Sequence, residues 1–392
     1  MAASRVSVIG AGTMGSGIAQ VAAAAGHPVI LADPFAGAVE RARGAHVKMM
    51  AREVEKGRLA QASADELLSR ISYLTPAAGD FSALAQSDLV IEAIVEDLAV
   101  KKATFKELEA MVGPTAVLAT NTSSLSVTAI ASACAKPERV LGIHFFNPAP
   151  VLPLVEIVPG VTTDPRVTRE TRTLIDGWGK ITVLASDTPG FIVNRIARPF
   201  YSEALRIFEE GIADKATIDW AMREAGGFKM GPFELMDLIG NDVNYAVSQS
   251  VFEAFGFDPR YRPFLTQRRL VDGGLLGRKT GRGHFDYRSG AINPEPVKDP
   301  QLANEIFPRI LAVLINSAAD ALFWRVATRD DIDLAMTKGV NYPKGLLRWA
   351  DDIGPVQVLE RLDQLYATYG EDRYRASPLL RRTVQTGAGF YP

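Results

Sequence analysis

The sequence predicts an α/β protein: a doubly wound parallel sheet followed by two repeated all-α domains. Three observations predict it. Short apolar runs alternate with helical stretches through the first part of the chain. A glycine-rich turn joins the first apolar run to the first helical one. Further on, a pattern beginning at Ile218 recurs from Ile332, an offset of 114.

Bulk properties set the frame. At 392 residues the chain is too long for one ordinary domain. Hydrophobic residues make up 47% and charged residues 22%, as in soluble globular proteins. A net charge of −2 without a long basic run argues against nucleic-acid binding. Cys134 is the lone cysteine, which excludes an internal disulfide framework and suits a reducing compartment. Met1-Ala2-Ala3-Ser4-Arg5 leads straight into an apolar run, with no room for a signal peptide. No run reaches the ~20 apolar residues of a bilayer span. The expectation is a cytoplasmic protein with neither membrane nor nucleic-acid partners.

Val6 to Ile9 reads as a buried strand, followed by Gly10-Ala11-Gly12-Thr13-Met14-Gly15 and a helix over Ser16 to Ala25. Val29 to Ala32 reads as the second strand, with Asp33 at its end. This order makes the glycine pattern informative: it predicts a Rossmann-type dinucleotide site. Gly10 permits the tight turn, Gly12 lets backbone approach a pyrophosphate, and Gly15 lets helix and strand meet closely. Thr13 and Met14 place backbone amides at the helix N-terminus, where phosphates bind. Asp33 suits the two hydroxyls of an adenosine ribose and would repel a 2′-phosphate, so the expected cofactor is NAD.

Residues 37 to 72 read as helical. Leu89 to Glu96, Ala116 to Ala119, Val140 to Ile143 and Leu154 to Val158 read as further strands. Ligands gather at the carboxyl ends of such strands, which directs attention to Glu96, to Asn121-Thr122-Ser123-Ser124, and to His144-Phe145-Phe146-Asn147-Pro148. Asn121, Ser123 and Asn147 are thus candidate cofactor contacts. Hydride transfer from an alcohol needs a base for the hydroxyl proton. Of the four histidines, His27 and His46 read as solvated or packed, and His284 lacks an evident carboxylate partner. His144 follows a strand, and Glu156 in the next strand could pair with its second nitrogen. Ser123 and Asn147 offer neutral hydrogen bonds to a substrate hydroxyl and carbonyl. A purely structural histidine after a strand is the competing reading. No Cys/His cluster has metal-ligand spacing.

Asn121-Thr122-Ser123-Ser124, His144-Phe145-Phe146-Asn147-Pro148, Pro189-Gly190-Phe191-Ile192-Val193-Asn194-Arg195 and Gly231-Pro232-Phe233-Glu234-Leu235 resemble the L-3-hydroxyacyl-CoA dehydrogenase family in order over residues 4 to 290. The resemblance implies that His144 is the base and Glu156 its partner. It also implies that Ser123 and Asn194 bind the reacting hydroxyl and thioester carbonyl. Glu96 and Lys101 match positions beside the nicotinamide end, and Lys56 falls near a lysine that contacts coenzyme A. The stretch from Asn194 to Ala204, with Asp237 to Asn244, resembles the branch acting on 3-hydroxyadipyl-CoA in phenylacetate breakdown. Other members with tandem C-terminal domains act on 3-hydroxybutyryl-CoA or longer fatty acyl groups. Arg198 would share a helix face with Asn194 and could meet a distal carboxylate, although a surface ion pair is the favoured reading for it.

A break at Asp187-Thr188-Pro189-Gly190 suggests domains over 1–185, 186–290 and 291–392, the last two being copies. Gly281-Arg282-Gly283 finds an echo in Gly387-Ala388-Gly389. Asn194 maps to Pro308, so the second copy reads as structural. Short members of the family pair through this helical domain between subunits. Here a homodimer, or a monomer with an intramolecular pseudo-dimer of helical domains, is expected. Two rival readings remain: a dehydrogenase of a free sugar acid or hydroxy acid on the same fold, and a non-catalytic NAD-binding protein.

Overall fold

The computed structural model describes residues 4–76 and 80–391, so Met1-Ala2-Ala3 lie outside the described residues. The chain divides into two compact units, 1–188 and 189–392, and the two helical copies fall together in the second.

The first unit runs β1 (Val6–Ile9), α1 (Thr13–Ala24), β2 (Val29–Ala32), α2 (Ala36–Glu55), α3 (Gln61–Ser69), β3 (Ile71–Leu74), β4 (Leu89–Glu92), α4 (Leu98–Met111) and β5 (Val117–Thr120). It continues with α5 (Val127–Ala131), β6 (Val140–Phe145), β7 (Leu154–Pro159), α6 (Pro165–Asp176) and β8 (Ile181–Leu184). The eight strands form one sheet in the order β3-β2-β1-β4-β5-β6-β7-β8. Its strands are near-continuous apolar runs because both faces are covered. Val6, Val8, Leu89 and Ile91 face one core, and Ile9, Val90 and Leu118 face the other. The sheet is mostly, not wholly, parallel: β7 runs antiparallel to β6, and β8 runs parallel to β7. Residues 37 to 72 are not all helical, since Ile71–Leu74 forms the edge strand β3. That strand buries only Ile71 fully, so its apolar signal is faint. Asp187 closes the unit by accepting from Ser126 Oγ and from the Val127 and Thr128 amides at the start of α5.

The second unit contains α7 (Val193–Ile196), α8 (Arg198–Glu209), α9 (Lys215–Glu224), α10 (Pro232–Ile239), α11 (Asn241–Ala254) and α12 (Leu265–Asp272). Then follow α13 (Pro300–Phe323), α14 (Arg329–Gly339), α15 (Leu346–Ile353), α16 (Pro355–Tyr369) and α17 (Pro378–Thr386). By length and composition alone α13 could cross a membrane, but most of its apolar stretch is buried as the core helix of this unit.

The repeat is written in backbone geometry. Positive φ at Gly211, Gly227, Gly240 and Gly256 returns 114 residues later at Arg325, Asn341, Gly354 and Gly370. Asp219 accepts the Phe233 and Glu234 amides at the start of α10, and Asp333 accepts those of Leu347 and Arg348 at the start of α15. A side chain at Gly231 would strike Asp219, and one at Gly345 would strike Asp333. The Gly283 and Gly389 echo has the same meaning. Asp237 accepts the amides of His284 and Phe285, and Asp351 those of Phe390 and Tyr391.

The copies meet along α7, α8 and α13 through reciprocal ion pairs. Arg195 of the first copy reaches Asp320 of the second at 3.2 Å. Its counterpart Arg309 reaches back to Glu203 at 2.6 Å and to Glu210 at 3.0 Å.

Candidate active site

The glycine turn is built as the dinucleotide reading requires. Gly10 has φ +102, and a Cβ there would lie 2.5 Å from the Ala93 carbonyl oxygen. A Cβ on Gly15 would lie 1.8 Å from the Gly10 oxygen, so any side chain would force α1 off β1. At Gly12 a Cβ meets nothing within 4 Å, which is open space over the helix start. Thr13 and Met14 open α1 there. Asp33 Oδ2 accepts the Ala11 amide at 2.8 Å and Oδ1 the Phe35 amide at 2.9 Å. These bonds fix the carboxylate beside the turn, and a carboxylate has lone pairs for two further donors. The residues present therefore fit a dinucleotide: small where backbone must come close, acidic where a ribose would sit.

At the other strand ends, β6 and β7 place His144 and Glu156 directly opposite each other. Nδ1 of His144 lies 2.7 Å from Glu156 Oε2, and Glu156 is fully buried. His144 lies within β6 rather than after it, so its ring is held by the strand itself. Phe146 stands beside that ring, 4.5 Å between centroids. Cross-strand registry, invisible in a spacing of twelve residues, is what brings base and acid together.

A second cluster forms where β4 and β5 end. Glu96 accepts from the hydroxyl of Thr122 (2.6 Å) and the amide of Ser123 (2.9 Å), and its other oxygen lies 3.2 Å from the Lys101 ammonium. Burial works against its charge, but Lys101, Thr122 and Ser123 outweigh burial and hold its carboxyl below the usual range. Lys101 is only 1% exposed and also donates to the buried Glu92. Its charge is thus neutralised by two carboxylates. Glu92 is not among the residues the sequence singles out, although an acid ending an apolar strand, nine residues before a lysine, needs a partner. Asn121 Oδ1 accepts the Phe145 amide at 2.8 Å and so ties this cluster to β6. Asn147 is exposed just beyond β6, and Lys56 is exposed at the C-terminus of α2.

His46, expected to be solvated or packed, is packed: it is buried. Its Nε2 lies 2.9 Å from both the hydroxyl and the carbonyl of Ser16, and its Nδ1 2.7 Å from the Tyr73 hydroxyl. Burial lowers its pKa, with the Ser16 contact opposing. The histidine thus braces the residue after Gly15.

In the second unit Asn194 sits half-buried on α7. The surface ion pair expected for Arg198 is overturned. Arg198 is 7% exposed and has no carboxylate partner among the described residues. Its guanidinium donates to the Asn194 carbonyl (3.1 Å) and the Ser248 hydroxyl (3.2 Å), over the Tyr201 ring. Carbonyl oxygens and a ring face replace the missing anion, because the side chain runs back over the preceding turn. Burial pushes its pKa down, although a guanidinium stays charged.

Family models match the whole arrangement. The 3-hydroxyacyl-CoA dehydrogenase NAD binding domain matches residues 5–188, and the C-terminal domain of the same family matches twice, over 190–287 and 306–389. The chain belongs to the 3-hydroxyacyl-CoA dehydrogenase family. It is 40% identical to the 3-hydroxyadipyl-CoA dehydrogenase of Escherichia coli, over 98% of both chains. It is 42% identical to the 3-hydroxybutyryl-CoA dehydrogenase of Clostridioides difficile, over 72% of this chain and 99% of that one. Among solved structures, the 3-hydroxybutyryl-CoA dehydrogenase of Escherichia coli superposes with a TM-score of 0.91 at 39% identity, covering 98% of this dehydrogenase and 99% of that chain.

Proposed function

We propose that this dehydrogenase oxidises the 3-hydroxyl of a (3S)-3-hydroxyacyl-CoA to the 3-oxo thioester. The His144–Glu156 pair carries the reading. With Nδ1 held by a buried carboxylate, the imidazole exchanges protons through Nε2, and Glu156 stabilises the imidazolium that forms. NAD, held by Gly10, Gly12, Thr13, Met14, Gly15 and Asp33, supplies the hydride acceptor when bound. Ser123 and Asn147 orient the reacting hydroxyl and carbonyl, and Asn194 holds the thioester. Glu96 and Lys101 fix the strand-end loop carrying Ser123, and Asn121 aligns it with β6. Lys56 meets the coenzyme A handle, whose binding energy positions C3. A dedicated base paired with a buried acid is superfluous in a protein that only binds NAD.

For the acyl group, we propose six carbons with a distal carboxylate, alongside shorter 3-hydroxyacyl thioesters. The support is Arg198, a buried cation that has no carboxylate partner among the described residues. Initial rates of NADH formation with 3-hydroxyadipyl-CoA and 3-hydroxybutyryl-CoA test both levels. Arg198→Ala is expected to raise KM for the first substrate at least tenfold more than for the second. Equal effects would dismiss the carboxylate role, and absence of turnover with either thioester would dismiss the reaction.

A further inference from the structure

The second helical copy carries a cavity of about 720 Å³ at the end of α13, lined by Arg325, Arg329 and Arg382 together with Leu322, Phe323 and Phe390. That volume lies within the range of about 300–1,000 Å³ usual for small-molecule sites. No acidic side chain is among its lining residues. Arg329 donates to the Phe390 carbonyl at 2.5 Å, and the Arg382 guanidinium lies 5.5 Å from the Phe323 ring centre. Among the described residues neither of these two arginines has an ion pair.

Comparison with the first copy shows how specialised this end has become. The residues equivalent to Phe323 and Trp324 are Glu209 and Glu210, and Glu210 is bound to Arg206 and Arg309. In the second copy both acids are aromatic, and Trp324 is 63% exposed. The residue equivalent to Arg325 is Gly211, with φ +74, whereas Arg325 adopts φ +54. Glycine takes that conformation freely, and a long side chain rarely does. The second copy therefore accepts a strained backbone to set a guanidinium at the cavity. Strain of this kind is retained where it serves a site.

We propose that this cavity binds the phosphate groups of a nucleoside diphosphate, with the base against the aromatic wall of Phe323 and Phe390. Guanidinium forks match phosphate oxygens in pairs, and bases stack on aromatic faces. The site lies wholly in the second copy and needs neither Asn194 nor His144. It assigns that copy a binding role in place of a purely structural one.

ADP is the probe, titrated calorimetrically into the full-length protein. Wild type is expected to bind one more molar equivalent than the Arg325→Gly/Arg382→Ala double variant. Each single substitution should weaken that extra site at least tenfold, about 1.4 kcal/mol. Adenosine without phosphates should leave it unfilled. Arg325→Gly restores the residue suited to the backbone, circular dichroism certifies the fold of each variant, and KM for NAD should be unchanged in all variants. Identical ADP stoichiometry and affinity in wild type and double variant would overturn the proposal, as would adenosine filling the site as well as ADP.

Discussion

Replacing Glu156 by Gln keeps shape and volume while removing one charge beneath His144. The carboxylate is fully buried and its oxygen lies 2.7 Å from Nδ1. When the imidazole gains a proton, the new charge centre stands about 4 Å from that of the carboxylate, worth ~4 kcal/mol at an effective dielectric of 20. A glutamine retains a neutral hydrogen bond worth about 1 kcal/mol. The difference, ~3 kcal/mol, corresponds to a fall in kcat on the order of 10²-fold, tenfold for each 1.36 kcal/mol. Initial rates of NADH formation at saturating NAD measure it, with circular dichroism and Tm to certify the fold. KM for NAD should hardly move, because Glu156 lies outside the glycine turn. In a His144→Gln background the same change should cost less than tenfold, since both residues act on one proton. A folded Glu156→Gln enzyme within fivefold of wild-type kcat would show that the pair is structural.

Other expectations are narrower. Gly15→Ala must push against the Gly10 carbonyl and should cost at least ~2 kcal/mol of stability, read by chemical denaturation. Gly12→Ala meets no atom and should leave Tm nearly unchanged while raising KM for NAD severalfold. His284→Phe should stabilise the protein, because both ring nitrogens are buried without hydrogen-bond partners among the described residues and the ring already meets Phe233 edge-on. Burial, aided by Lys215, holds the folded His284 pKa well below 6.5. Only the unfolded chain then takes a proton as pH drops below about 6.5, and wild type loses ~1.4 kcal/mol of relative stability by pH 5.5. The phenylalanine variant escapes that loss, and denaturation midpoints at pH 7.5 and 5.5 that shift equally in both proteins would contradict this. Deleting residues 291–392 uncovers the face of α8 that meets α13, so light scattering should report aggregation or new dimers. A soluble, fully active monomer would count against the pseudo-dimer.

The glycine turn, with the strand before it and the acid after it, could be read directly, because a dinucleotide site is local in sequence. The repeat was equally open to reading, since its identities track backbone demands: positive φ at Gly240 and Gly354, and no room for a Cβ at Gly231 and Gly345. Tertiary events were not. The reversal of β7 leaves no mark in an apolar run, yet it creates the His144–Glu156 registry. The charge of Arg198 favours a solvent-facing reading, although Ile196, Ala197, Pro199 and Phe200 flank it in the sequence. Only the approach of α11 buries it. His46 likewise carried no signal, because its partners Ser16 and Tyr73 lie 30 and 27 residues away.

Arg195 meeting Asp320, and Arg309 meeting Glu203, is an encounter between halves of one polypeptide. Between separate subunits such a contact weakens on dilution, and every substitution is made twice, once in each subunit. Tethering abolishes both constraints. Association costs no translational freedom, so charged pairs that merely break even can hold the halves together at any enzyme concentration. One half can then exchange an asparagine for Pro308, or a glycine for Arg325, while the other keeps its chemistry untouched.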